Sequence, residues 1–116
     1  AHISSDIYAV TTKENKKVKG WNDIDKKGVV VAVAKGTYHE SVMRTKLKNA
    51  TLSVVANLHA REQEVESGRA DVFMTDYPYS QRFLTNADWA RLAPGYEAWL
   101  AAAESGDPPP LRELLG

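Results

Sequence analysis

The chain has 116 residues, 43% of them hydrophobic, which suits one compact domain with its own core. Its 15 basic and 15 acidic residues cancel, so no overall field favours a nucleic-acid groove or a membrane surface, and the lack of cysteine excludes disulfides, thiolate metal sites and a thiol nucleophile. No apolar stretch approaches the length of a membrane span, and the N-terminus lacks the charged-then-apolar order of a signal peptide.

Ile7 to Thr12 alternates with β-branched and aromatic residues and predicts a strand, which the Lys/Asn/Gly stretch from Glu14 to Gly20 ends. Lys13, Lys16, Lys17 and Lys19 form a local basic run without interleaved aromatic residues, which reads as a solvated loop rather than a nucleic-acid contact. Trp21 to Asp25 predicts one short helical turn. Val29 to Ala34 is a short, β-branched apolar run of the kind found in parallel strands buried on both faces. Lys35-Gly36 stops it, and Thr37 caps a helix expected to continue to Lys48, with Tyr38 and Val42, then Met43 and Leu47, on its apolar side.

Thr51 to Ala56 predicts a second such strand, Leu58 to Ser67 a charged helix closed by Gly68, and Asp71 to Thr75 a third strand. Strands and helices alternating at this spacing imply an α/β fold: a three-layer, open, mostly parallel sheet covered on both faces. Tyr77 to Leu84 is a short helix with Pro78 in its first turn, where a missing N–H costs nothing. Beyond Asn86 the composition changes: Tyr96 to Ala103 predicts an alanine-rich helix, Ser105 to Pro110 a breaker and Leu111 to Leu115 a last helical turn. The expected organisation is a lobe over residues 1–92 with a helical tail, 93–116, packed on it.

Two stretches carry a family resemblance, Gly28-Val-Val-Val-Ala-Val-Ala-Lys-Gly-Thr-Tyr38 and Glu66-Ser-Gly-Arg-Ala-Asp-Val-Phe-Met-Thr-Asp76. In this order, preceded by Tyr8-Ala-Val, they resemble the second lobe of the type-3 periplasmic solute-binding proteins, which bind amino acids and related small anions. The resemblance covers about residues 7–89. It implies an extracytoplasmic lobe for transport or sensing whose partner lobe and returning hinge strand are missing from this chain. It also implies that Asp76 takes a solute's ammonium group.

Gly36, Thr37 and Tyr38 lie where a parallel strand yields to a helix N-terminus, a place that gathers unpaired N–H groups and suits a carboxylate. Asp76 and Tyr77 end the third strand at the same edge of the sheet, where ligands of open α/β sheets bind. Asp71, at a strand entrance, reads as structural. His39 and Glu40 admit a catalytic reading, because some relatives are cyclohexadienyl (arogenate or prephenate) dehydratases, but they are expected to be exposed polar residues of a helix start. No catalytic set is assigned. His2 and His59 have no partner at metal-ligand spacing, so neither a metal nor any other cofactor is expected. The expected partner is an amino acid or related carboxylate, with no nucleic acid and no membrane insertion. A homodimer is also expected, because a tail bearing Trp99 and Leu100, with Trp89 nearby, must cover its own sheet or a second copy's.

Overall fold

A computed structural model describes residues 7–105. His2 and the turn expected at 111–115 lie outside them. The elements in chain order are β1 (Tyr8–Thr12), a 3-10 turn (Trp21–Asp23), β2 (Val30–Ala34), α1 (Tyr38–Lys46), β3 (Thr51–Val55), α2 (Leu58–Glu66), β4 (Val72–Thr75), α3 (Tyr77–Asn86), β5 (Ala90–Ala93) and α4 (Tyr96–Ser105). The five strands form one mixed sheet in the order β3-β2-β4-β1-β5. β2 runs parallel to β3 and β4, whereas β1 is antiparallel to both its neighbours, β4 and β5.

Alternation along the strands divides the core in two. Ala9, Val31, Val33, Val72 and Met74 face one side, where Met43 of α1, Trp99 of α4 and the loop residues Val18, Trp21 and Ile24 cover them. Val10, Ala32 and Phe73 face the other, under Val65 of α2 and Phe83 and Leu84 of α3. This is the expected three-layer arrangement, and burial on both faces explains why the β2 sequence is almost continuously apolar.

Helix α1 ends two residues earlier than its apolar spacing suggests. Leu47 is extended, and the Asp25 carboxylate accepts the backbone N–H groups of Lys48, Asn49 and Ala50, so a side chain replaces the next helical turn as their partner. The strand β5 was not expected. It pairs with β1 from Ala9 opposite Ala93 to Thr12 opposite Ala90. Arg91 of β5 also fastens the lysine-rich loop, its guanidinium donating to the carbonyls of Val18 (2.7 Å) and Asn15 (3.2 Å).

Asp71 ties the same loop to the sheet. Its carboxylate accepts the Val30 N–H at 2.9 Å and pairs with Lys17 Nζ at 3.1 Å, while its carbonyl accepts the Thr11 hydroxyl at 2.7 Å. The tail folds back on its own chain: the Trp21 N–H donates to the Pro94 carbonyl (2.8 Å), and the Trp21 ring meets those of Tyr96 (4.8 Å) and Trp99 (5.0 Å). Gly20 belongs at that crossing, because a Cβ there would lie 3.0 Å from the Pro94 carbonyl oxygen.

Candidate functional site

Strands β2, β3 and β4 each deliver the chain, at the same edge of the sheet, into a helix capped by a side chain. Thr37 Oγ1 accepts the Glu40 N–H (3.3 Å), Asn57 Oδ1 the Ala60 N–H (2.8 Å) and Asp76 Oδ1 the Tyr79 N–H (2.7 Å). Three helix N-termini therefore gather there, and their dipoles favour negative charge. The first helical residue of each is exposed and apolar: Tyr38 is 50% exposed, Leu58 41% and Tyr77 51%. They are the large hydrophobic residues most exposed among the described part of the chain. Tyr38 thus stands at the edge and leaves the core side of α1 to Val42, Met43 and Leu47, a correction to the expected pairing of Tyr38 with Val42 over the core. Tyr8, at the start of β1, extends the row by packing its ring 5.3 Å from that of Tyr77.

The Gly36–Thr37 turn is less open than expected. Gly36 has φ +82°, and its N–H donates to Glu40 Oε1 at 2.8 Å. The Thr37 N–H donates to the Ala34 carbonyl at 3.3 Å, and the Thr37 hydroxyl donates to the same carbonyl at 2.7 Å. Glu40 thus stands over the helix start as an internal anion, and Arg44 balances it at 2.8 Å. The Gly36 hydrogen bond, helped by Arg44, holds the Glu40 carboxyl below the ordinary carboxylate range. An incoming carboxylate is left with the N–H groups of Tyr38 and His39, which at the first two helical positions have no intrahelical acceptor. Asp76 is exposed on the neighbouring strand, its Oδ1 committed to the α3 cap.

Arg61, with Glu62 and Tyr79 around it, gains an importance that the sequence did not give it. Arg61 of α2 is fully buried: its guanidinium donates to the Met74 carbonyl (2.8 Å) and to Glu62 (3.1 Å), and it lies over the rings of Phe73 (4.6 Å) and Tyr79 (5.0 Å). The Tyr79 hydroxyl donates to the same Glu62 oxygen, so α2 and the first turn of α3, with Asp76, are buckled together. Burial and the Glu62 carboxylate push the Tyr79 phenol above its ordinary pKa. The signal in sequence was that Arg61 stands four residues before Val65, on the inward stripe of α2.

His39, expected to be exposed, is half-buried, with Nδ1 enclosed and without a protein partner. Burial lowers its pKa from the ordinary 6.5; Arg61 adds to that, and Asp76 opposes it. Folding therefore favours the neutral imidazole. Its contribution to stability is complete above pH 6.5 and is lost as pH falls below that value. Denaturation midpoints followed downward from pH 7 should fall less steeply for His39→Gln than for the parent, and more steeply for Asp76→Asn, which removes the opposing charge.

Among the described residues no helix is long and apolar enough to cross a membrane, and no cluster of His, Cys, Asp and Glu could hold a metal ion. No protein-family model and no curated protein matches the sequence. Solved structures do. An ancestral amino-acid-binding protein described as a precursor of cyclohexadienyl dehydratase matches with a TM-score of 0.67 and 30% identity over 77% of this chain and 39% of its own. An ancestral cyclohexadienyl dehydratase matches with a TM-score of 0.67 and 32% identity over 76% of this chain and 37% of its own. An amino acid ABC transporter substrate-binding protein from Streptococcus pneumoniae, solved with L-arginine, shares the fold at a TM-score of 0.66 and 20% identity, over 75% of this chain and 36% of its own. The chain thus spans about two fifths of the length of the proteins it matches. It has the fold of a single lobe of the amino-acid-binding periplasmic solute-binding proteins.

Proposed function

We propose that this lobe binds an amino acid or a related carboxylate at the edge shared by β2 and β4, in an extracytoplasmic receptor for transport or sensing. The observation that carries the reading is the adjacency of two opposite binding groups. The first turn of α1 offers N–H groups to a carboxylate, and Asp76, on the next strand, offers an exposed carboxylate to an ammonium. Tyr77 and Tyr38 flank them as apolar walls, and Gly36 and Thr37 shape the turn. Neighbours in the same fold bind arginine and glutamine, which supports a zwitterionic ligand.

One edge encloses only part of a small ligand, whereas solute sites bury most of it, so affinity is expected to be weak. A thermal-shift screen of the common amino acids at millimolar concentration tests the reading, since a ligand specific for the folded state raises the melting temperature with occupancy. Asp76→Asn retains a capping side chain for α3 but loses the charge, and should weaken binding about tenfold or more. No shift with any amino acid, or an equal shift in Asp76→Asn, would count against the site.

The 32% identity to an ancestral cyclohexadienyl dehydratase favours a second reading, a dehydratase-like enzyme lobe. Turnover of prephenate or arogenate would establish it over simple binding.

A further inference from the structure

We propose that two copies of this chain meet edge to edge, so that Lys35 of each copy completes the ligand site of the other. The inference rests on the binding reading above and brings the second copy's cation to the edge. The apolar face of α4 is already spent on Trp21 of its own chain, with Trp99 only 8% exposed. The exposed apolar surface is elsewhere, in Tyr38, Leu58 and Tyr77 along the edge.

That edge is self-complementary in charge. Lys35 is exposed just beyond β2, and Asp76 is exposed just beyond β4, the adjacent strand. A two-fold axis normal to the sheet and passing between β2 and β4 sets each Lys35 opposite the other copy's Asp76, giving two equivalent pairs, as an isologous contact requires. The 15 acidic and 15 basic residues leave no net charge to hold the copies apart. An amino acid entering this interface replaces each direct pair by two: its ammonium on Asp76, its carboxylate on Lys35 of the second copy. All charges remain matched, so the ligand occupies the dimer without dispersing it.

Sedimentation equilibrium of the full chain at high micromolar concentration should give twice the chain mass. Lys35→Glu alone and Asp76→Lys alone each place like charges together twice, and each should weaken association about a hundredfold. Mixing the two variants should restore it, because a Lys35→Glu copy facing an Asp76→Lys copy recovers both opposite-charge pairs. That recovery also shows that both variants are folded. Monomeric parent chain, single variants that associate like the parent, or a mixture that stays monomeric would each overturn the proposal. Protection of the edge tyrosines only on adding a separately produced complementary lobe would assign the edge to a partner lobe and overturn it too. An amino-acid thermal shift that persists at concentrations where the chain is monomeric keeps the binding reading and removes this one. Dimerisation without any amino-acid shift would overturn the binding reading and, with it, the assignment of Lys35 to a ligand site.

Discussion

Arg61→Ala is expected to lower folding stability by about 3 kcal/mol, seen as a lower urea midpoint. The guanidinium occupies the one place where the Met74 carbonyl, the Glu62 carboxylate and the faces of Phe73 and Tyr79 converge. Removing it leaves a carbonyl at the sheet end without its donor and Glu62 without its cation, each costing more than the bond itself was worth. Arg61→Lys should recover little, because a tetrahedral ammonium has neither the planar fork that reaches both the carbonyl and the carboxylate nor a flat face to lay over the two rings. Neutralising the stranded carboxylate should help: Glu62→Gln placed on the Arg61→Ala background should regain part of the loss, and additivity of the two changes would show that the pair is not coupled.

Trp21→Ala should cost about 4 kcal/mol, a large fraction of the roughly 5–15 kcal/mol that stabilises a domain. Trp21 is 1% exposed and is the surface against which Tyr96 and Trp99 pack, so the change opens a large cavity and removes the footing of α4 at once. Its effect should be local before it is global. Trp99 should become accessible to a fluorescence quencher below the main unfolding transition, while Trp89, packed at 5.6 Å against Phe83 on the opposite face, stays protected. A single transition exposing both tryptophans would show that α4 is integral to the lobe's cooperative unit. Trp21→Phe, which keeps an aromatic surface, should retain much of the stability.

The strands that alternate with helices were legible because each announces itself locally. Val30–Ala34 is apolar because it is covered twice, and Thr37, Asn57 and Asp76 are residues that cap helices wherever they meet one. The edge position of Gly36, Thr37, Tyr38, Asp76 and Tyr77 followed from that alternation together with the family resemblance. β5 was not legible, since Ala-Arg-Leu-Ala has neither β-branching nor alternation. It is a strand because β1 offers it an unpaired side, a fact set by residues far away in sequence. The closure of the Gly36 turn by Glu40 was hidden for a related reason: a glutamate three residues after a threonine cap announces a capping box, but not that its carboxylate passes Thr37 and takes Gly36. His39 was read as an exposed polar residue, and Arg61 only as one charge of a charged helix. What buries them is the approach of α2 to α3 and of α1 to the end of β4, neither of which any short window of sequence contains.

The place of β1 in the sheet has a consequence for how the chain assembles. β2, β3 and β4 join their neighbours across one intervening helix or two, and such contacts close short loops. β1 joins β4 and β5 only in registers such as Ala9 with Met74 and Ala9 with Ala93, and β5 joins the sheet only through β1. The first strand made is therefore among the last to be used. It must wait until β4, at residues 72–75, is in place, and until it docks, the side of β4 that it will occupy stands open as an unpaired strand edge. The interval before β1 closes that edge is the period in which the nascent lobe is most exposed to pairing with the wrong strand.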